Sequence, residues 1–192
     1  MSKLETNQVD PATGTTLTLG TSGDTISIPS GVTIANSGTA TGFGDNNTPA
    51  FKAYLGSDMT SVTRNSRTKV TYDTEVYDTD IAFASNKFTV PSGKAGKYHF
   101  SAMATMKNSS DYNFISIHLY KNGSEILRGT KLQLTDYYLS SSAYSTMVVT
   151  GDLDLSVSDY IEVYIEMGAA GGSGTVLSAN KYSAFSGYKI IT

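Results

Sequence analysis

The stretch Phe88-Thr-Val-Pro91-Ser-Gly-Lys-Ala-Gly96-Lys-Tyr98-His-Phe100-Ser-Ala102 contains the clearest structural pattern in the sequence. A short strand is predicted to end at Pro91, because proline cannot donate a ladder hydrogen bond, and a glycine-containing turn follows. From Gly96 onward, apolar and polar residues alternate. This period of two predicts a half-buried strand with one face formed by Tyr98, Phe100, Ala102 and Ala104.

The same kind of pattern continues over the rest of the chain from residue 50. Alternating apolar runs separated by turn residues predict ten antiparallel strands, near 50–55, 62–64, 68–77, 87–90, 96–106, 113–121, 124–132, 144–155, 159–167 and 183–191. No segment has helical periodicity over a useful length. Short strands that keep reversing leave edges to be covered, so the predicted fold is all-β, a two-sheet jelly-roll β-sandwich.

Four short motifs resemble the C1q/tumour-necrosis-factor-like (C1q/TNF-like) jelly-roll family. They are Gly96-x-Tyr98-x-Phe100, Pro49-Ala-Phe51, Tyr120-Lys-Asn122-Gly123 and Phe185-Ser-Gly187-Tyr188, and the resemblance covers residues 49–192. The turn before Gly96 is two residues longer than in the family, and Ala102 stands where the family often has an aromatic residue. The resemblance implies a homotrimer that packs through aromatic faces.

Five aromatic residues alternate within the predicted strands. This alternation places them in the core or at the trimer interface: Tyr98, Phe100, Tyr164, Phe185 and Tyr188.

Composition excludes several classes of protein. Only 16% of the 192 residues are charged, against about a quarter in ordinary domains, and the chain carries 13 Tyr. A net charge of −3 argues against nucleic-acid binding, which needs a basic surface. The chain has no Cys, so disulfides and thiolate metal sites are excluded. Residues 1–8 do not look like a signal peptide and no apolar run could span a membrane, so we expect synthesis in a host cytoplasm without membrane insertion.

The N-terminal quarter divides into two segments that precede the globular head of residues 49–192. Residues 1–11 are predicted to be an attachment peg. Within residues 12–48, Thr16-Leu-Thr-Leu-Gly20 and Thr25-Ile-Ser-Ile-Pro29 match at an offset of nine, and Gly31-Val-Thr-Ile34 follows. Each unit is a short strand and a turn, which cannot bury its apolar face alone.

Two interpretations of this repeat are open. One is a flexible linker rich in Thr, Ser and Gly. The other, which we favour because regular Leu, Ile and Val pairs serve no purpose in a linker, is a β-rich fibrous shaft of three chains. The segment also resembles the short repeats of bacteriophage fibre proteins. The predicted shaft core is Leu17, Leu19, Ile26, Ile28, Val32 and Ile34.

The order of the loops predicts where a ligand would bind. The tight turns at 121–123 and 156–158 fall at one end of the sandwich, and the long loops 107–112, 133–143 and 168–182 fall at the other. The resemblance implies that the shaft enters at the tight-turn end, which leaves the long loops at the far tip. Tyrosine among Ser, Asn and Asp is typical of recognition surfaces and suits stacking on sugar rings, although the rings could instead pack the loops against the sandwich. The tip tyrosines are Tyr112, Tyr137, Tyr138, Tyr144 and Tyr182.

The sequence contains no catalytic motif. His99 and His118 each lie on the polar face of a predicted strand, as ordinary exposed or interface histidines do. No nucleophile elbow, P-loop or paired-His motif is present, and the glycine run 168–174 is predicted to be a flexible tip loop.

One acidic run is a weak candidate for a metal site. Hard oxygen ligands favour Ca²⁺, but solvated loop carboxylates are the better interpretation because the EF-hand spacing and its glycine are absent. The four residues are Asp73, Glu75, Asp78 and Asp80. No other cofactor is expected.

These observations lead to one functional hypothesis. The chain is predicted to be a non-enzymatic fibre or spike of a bacteriophage virion (tail, neck or capsid), attached to other virion proteins through its N-terminus. Its trimeric head would bind the host surface, through glycan or protein. Alternatives are a purely architectural capsid decoration protein, a capsule-depolymerising enzyme and a cytokine-like signalling module.

Overall fold

The computed structural model describes residues 9, 11, 13–38, 47–108, 112–133, 144–169 and 173–191. The chain divides into two compact units, Met1–Phe43, here the N-terminal unit, and Gly44–Thr192, here the head. Among the described residues, no helix has the length and apolar character needed to cross a membrane.

Two hydrogen-bonded turns organise the described part of the N-terminal unit. The backbone N–H of Asp24 donates to Thr21 O (3.0 Å), and that of Val32 donates to Pro29 O (3.2 Å). Its residues 13–38 form no strand. The six predicted shaft-core side chains are 43–62% exposed in this single chain.

The described part of the head contains thirteen β-strands and one 3₁₀ turn, Ala179–Lys181. The strands are β1 Ala50–Tyr54, β2 Met59–Thr63, β3 Arg67–Lys69, β4 Thr74–Asp78, β5 Phe83–Ala84, β6 Lys87–Thr89, β7 Gly96–Asn108, β8 Tyr112–Lys121, β9 Ser124–Gln133, β10 Tyr144–Leu155, β11 Tyr160–Ala169, β12 Ser173–Val176 and β13 Ala184–Lys189.

These strands form two antiparallel sheets. The seven-stranded sheet has the order β2-β12-β7-β13-β1-β4, with β10 also paired to β7. The six-stranded sheet has the order β5-β6-β11-β8-β9, with β3 also paired to β11. The prediction of an all-β, two-sheet sandwich is therefore confirmed.

Aromatic rings fill the space between the two sheets. Phe51 stacks on Phe83 and Phe88, with ring centroids 4.8 and 5.2 Å apart, and meets Phe185 edge-on at 4.9 Å. At Gly187, a Cβ atom would lie 2.5 Å from the ring of Phe100, so only glycine allows the strand this close to the core. Burial of these rings, together with the aliphatic side chains that both sheets contribute to the same core, drives folding of the head.

Two predicted segments differ from the observed structure. The single strand expected over 68–77 is two strands, β3 and β4, that belong to opposite sheets. Between them the chain crosses the core: Val70 N donates to Val163 O of the six-stranded sheet, and the Tyr72 hydroxyl donates to Met103 O of the other. Alternation of buried residues marked this segment as extended but could not show that it changes sheets.

The predicted flexible loop 168–174 is also partly ordered. Strand β11 extends to Ala169, and β12 pairs with both β7 and β2. A Cβ atom on Gly174 would lie 3.0–3.1 Å from the sulfur atoms of Met106 and Met167, so the glycine packs directly on the core. Residues 170–172 lie outside the described residues.

The head has two distinct ends. At the end here called the base, Asn122 accepts a hydrogen bond from Tyr160 N and donates one to Asp159, which ties the two tight turns together. Lys94 donates to Thr48 Oγ1 (3.3 Å) at the same end, so the chain enters the head there. The opposite end, here called the tip, contains the end of β7 and the starts of β10 and β12.

Candidate functional site

The outer face of the seven-stranded sheet, which points away from the core, carries mostly uncharged side chains. Cross-strand pairing places Val148, Met103, Ala184 and Tyr54 in one row across four strands. Nearer the base, the rings of Tyr188 and His99 lie 5.3 Å apart. Val148 and Tyr188 are 43% and 42% exposed, so this face presents apolar and aromatic surface to solvent.

A cleft of about 480 Å³ opens at the tip end of this face. Its sides and floor come from β7, β10 and the segment between β12 and β13. It is lined by Thr105, Tyr144, Thr146, Leu177, Ala179 and Tyr182. Its volume lies within the range of about 300–1,000 Å³ that is usual for small-molecule sites.

The wall formed by residues 177–183 is tightly fixed to the sheet. Leu177 N donates to Thr105 O (2.8 Å), and the buried Ser183 hydroxyl donates to Leu177 O (2.8 Å) while accepting from Thr105 N (3.1 Å). At the start of the turn, Ser178 donates its N–H and its hydroxyl to Asp58, both at 2.8 Å. Both hydrogen bonds lower the pKa of Asp58, and the one from the backbone N–H has the larger effect. The wall is therefore formed before any ligand arrives.

Two threonine hydroxyls form the polar floor of the cleft. Thr105 Oγ1 donates to the Tyr182 carbonyl (3.1 Å) and lies 2.7 Å from Thr146 Oγ1. A carbonyl can only accept, so the single hydroxyl proton of Thr105 goes to Tyr182, and Thr146 must donate to Thr105. The oxygen of Thr146 is left with acceptor capacity at the cleft.

The opposite wall is Tyr144, the first residue of β10. The hydroxyl of Tyr112 lies 2.6 Å from Ser145 Oγ and holds the start of this strand in place. The Tyr144 side chain is 62% exposed, and the Lys107 ammonium lies 5.8 Å from its ring centroid. The cleft thus has two aromatic walls, a hydroxyl floor and a cation at its edge.

The structure brings together two of the five predicted tip tyrosines, Tyr144 and Tyr182. Tyr112 is a correction: it is only 1% exposed, because its ring packs inside the sandwich, so it supports Tyr144 from behind and cannot contact a ligand. Tyr137 and Tyr138 lie outside the described residues. Sequence reasoning missed Thr105, Thr146 and Leu177, which no local motif connects to the tyrosines.

The aromatic residues predicted for the core or the trimer interface occupy three environments. Tyr98, Phe100 and Phe185 are fully buried in the core, and burial raises the pKa of Tyr98 to about 12. Tyr188 is exposed on the outer face of the seven-stranded sheet. Tyr164 lies on the outer face of the six-stranded sheet, where its ring packs on that of Tyr120 with centroids 4.2 Å apart.

The four carboxylates of the acidic run do not converge. Asp73 and Asp78 lie at opposite ends of β4, where Asp73 accepts from Gly56 N and Asp78 accepts from Ala82 N and Phe83 N. Asp80 pairs with Lys94 (3.5 Å), and Glu75 is on the strand between them. Among the described residues, no three His, Asp or Glu side chains are grouped to hold a metal ion. Local hydrogen bonds account for Asp73 and Asp78, and an ion pair accounts for Asp80.

His118 is a second correction, since it is fully buried and not exposed. It lies on the outer face of the six-stranded sheet, with Ser116 Oγ 2.9 Å from Nε2 and Glu125 Oε1 2.9 Å from Nδ1. Arg67 covers it by pairing with Glu125 and with Glu166 (3.3 Å). Burial lowers the pKa of His118. The ring belongs to a cluster of charged side chains on this face, here called the charged layer, that includes Arg67, Glu125 and Glu166. Enclosed in this way, the ring is not accessible to a substrate.

Comparison with solved structures identifies the fold. The globular domain of zebrafish complement 1qA protein matches with a TM-score of 0.51 and 18% identity, covering 74% of this chain and 98% of that domain. Murine APRIL matches with a TM-score of 0.53 and 12% identity, covering 73% of this chain and 98% of that one. Eiger TNF from S. frugiperda matches with a TM-score of 0.53 and 13% identity, over 73% and 91%.

No protein-family model matches the sequence, and neither does any curated protein. At these identities the structural likeness shows the fold alone. The four sequence motifs therefore lie in a sandwich of the C1q/TNF-like type, which is the type that they resemble. The chain has the C1q/TNF-like jelly-roll β-sandwich fold.

Proposed function

We propose that this protein is a non-enzymatic fibre or spike of a bacteriophage virion, with a homotrimeric head that attaches to glycan on the host surface. Residues 1–11 attach the chain to other virion proteins, and residues 12–48 form a three-chain shaft. Residues 49–192 form the head. The phage assignment rests on the resemblance of the N-terminal repeats to those of phage fibres.

The observation that carries this proposal is that the point where the chain enters the head and the cleft lie at opposite ends of the head. The chain enters at the base, beside the tight turns, and the tyrosine-walled cleft lies at the tip. A fibre head needs this arrangement, because its attachment to the particle and its contact with the host must be at opposite ends. Binding residues are commonly carried on loops at one end of a rigid sandwich.

The outer face of the seven-stranded sheet is the trimer interface in this proposal. Its central row of Val148, Met103, Ala184 and Tyr54 is apolar, and contiguous exposed apolar surface is typical of protein interfaces. Tyr188 extends this surface toward the base. The cleft lies at the tip margin of the same face, where a ligand can still reach it.

Exposure of the repeat residues supports the shaft. Regularly spaced Leu, Ile and Val side chains that are 43–62% exposed in one chain would be buried when three chains associate. Ile26→Asp combined with Ile28→Asp would place six charges on a trimer axis, at a large desolvation cost. We expect residues 12–45 to become protease-sensitive while the head stays folded, and unchanged protease resistance would favour the flexible linker.

Three measurements test the proposed function. Light scattering should give the mass of a trimer at micromolar concentration, and labelled trimer should be retained by whole host cells in a pull-down. Immunogold labelling of purified particles should place the protein on the virion. A trimer that decorates particles without adsorbing to any host would establish an architectural role instead.

A further inference from the structure

We infer that the cleft between Tyr144 and Tyr182 binds one ring of an acidic sugar, a pyranose that carries a carboxylate. This inference rests on the proposed function and specifies the chemistry of the glycan. It follows from three features of the cleft: its aromatic walls, its hydroxyl floor and the charge at its edge.

The walls suit a ring that has an apolar face. Tyr144 and Tyr182 are 62% and 44% exposed, and Leu177 and Ala179 complete an apolar lining between them. A pyranose has C–H groups on its faces and hydroxyls around its edge, so it can stack on a tyrosine while its edge remains polar. Tyrosine provides this contact area with little loss of conformational entropy.

The floor is ready to accept a hydrogen bond. Thr105 has used its proton on the Tyr182 carbonyl, and Thr146 has used its own on Thr105, so Thr146 Oγ1 retains acceptor capacity. A sugar hydroxyl can donate to this oxygen. A purely apolar ligand would displace water from Thr146 and offer nothing in return.

The charge at the edge of the cleft favours an anion. Lys107 lies two residues beyond Thr105 on the same face of β7, with its ammonium 5.8 Å from the centre of the Tyr144 ring. Lys181 lies on the turn that forms the other wall, and its ammonium is 5.0 Å from the Tyr54 ring. Among the described residues, Asp58 is the carboxylate tied to this wall, and it is engaged by Ser178. A carboxylate on the ring would therefore lie near the Lys107 ammonium, with Lys181 as a second cation on the same turn as Ala179.

The rigidity of the site strengthens weak binding. The hydrogen bonds that fix residues 177–183 mean that little ordering is required when a ligand enters. Three copies of the cleft in one trimer would act together on a polymeric glycan, because later contacts form at high effective concentration. Weak binding of a single ring is thus compatible with firm adsorption to a cell.

Matched sugars test the inference. Titrations of the full-length protein, followed by saturation-transfer NMR, would compare methyl glucoside with methyl glucuronide and methyl galactoside with methyl galacturonide. Within each pair the ring is the same, and a carboxylate replaces a hydroxymethyl group. We expect at least one uronide to bind about two- to fivefold more tightly than its neutral partner, as an exposed ion pair allows, and added salt should remove the difference.

Variants separate the contribution of the aromatic wall from that of the charge. Tyr182→Ala should weaken the binding of both sugars of a pair about tenfold, since it removes one aromatic wall of the cleft. Lys107→Gln should abolish the preference for the uronide while binding of the neutral sugar is retained. Tyr77→Ala is the matched control, because Tyr77 is 48% exposed, close to the 44% of Tyr182, but lies on edge strand β4. It should change neither affinity.

The outcomes distinguish this inference from the proposed function. Equal binding of neutral and acidic sugars, or no binding of either, would overturn the inference, and adsorption of the parent to host cells would still support the fibre. A change of trimer mass in Tyr182→Ala with unchanged sugar binding would show that the cleft is a subunit contact. Absence of adsorption by the parent to every host would contradict the proposed function itself.

Discussion

The two sheets of the head share one core but present opposite chemistry on their outer faces. On the six-stranded sheet, charged side chains pair within the chain: Lys69 with Glu162 (2.6 Å), and Arg67 with Glu125 and Glu166. On the seven-stranded sheet, hydroxyl, tyrosine and apolar side chains dominate. An ion pair between His99 and Asp152 (2.7 Å) also lies there.

This difference shows which face needs a partner. The charged side chains of the six-stranded sheet pair with one another within the chain, so this face needs no partner to satisfy them. The outer face of the seven-stranded sheet exposes apolar rows that nothing in the described chain covers, and burying them is favourable. Self-association and ligand binding are therefore both expected on the seven-stranded side.

The largest expected effect is a loss of self-association when a charge is placed on the seven-stranded sheet, compared with a charge on the six-stranded sheet. In the proposed trimer, Val148→Asp should weaken association more than about 100-fold, because each subunit would bury an unpaired carboxylate at the proposed interface. Ile126→Asp is the control: Ile126 is 39% exposed, against 43% for Val148, but lies in β9 of the other sheet. Light scattering over a dilution series measures both. Equal effects of the two variants would remove the distinction between the faces.

A smaller effect, on the free energy of unfolding, is expected when ion pairs of the charged layer are removed. Arg67→Ala should lower the free energy of unfolding by about 1–2 kcal/mol, since it leaves Glu125 and Glu166 without their guanidinium partner beside His118. Gln133→Ala, at an exposed residue of β9 in the same sheet, should change it by less than about 0.5 kcal/mol. Urea unfolding at one fixed protein concentration gives both values. A similar loss for the two variants would mean that the network adds nothing.

The smallest effect is a pH dependence of stability that originates on the six-stranded side. Because burial lowers the pKa of His118, the unfolded chain binds a proton at this site more readily than the folded one. Its contribution is fully present above the unfolded pKa of about 6.5 and is lost as pH falls from there toward the lowered value. We expect the melting temperature to drop between pH 7 and pH 5, and His118→Gln should flatten that drop.

Polar and charged side chains surround His118. They lie on its own strand and on three others: Ser116 and Tyr120 on β8, Glu125 and Arg128 on β9, Arg67 on β3, and Tyr164 and Glu166 on β11. A His118→Gln variant with the parent's pH profile would contradict the assignment.

Sequence alone predicted the sandwich because the relevant information is local. Alternation around Tyr98 and Phe100 identifies core-facing positions, since side chains on a strand point to opposite faces at each step. Turn residues such as Asn122 and Gly123, both at positive φ, fix where strands reverse. These signals also place the long loops at one end of the sandwich, where Tyr144 and Tyr182 lie.

Only the tertiary structure decided which strands are neighbours, and with it the sites. Thr105 and Thr146 meet because β7 pairs with β10 in one register, and Tyr182 reaches them only because the 177–183 segment folds over β7. His118 alternates as an exposed residue would, yet Arg67 and Glu125 from other strands cover it. A strand's own pattern specifies its two faces but not which side chains its neighbours place on them, because pairing and register are fixed by the packing of the whole core.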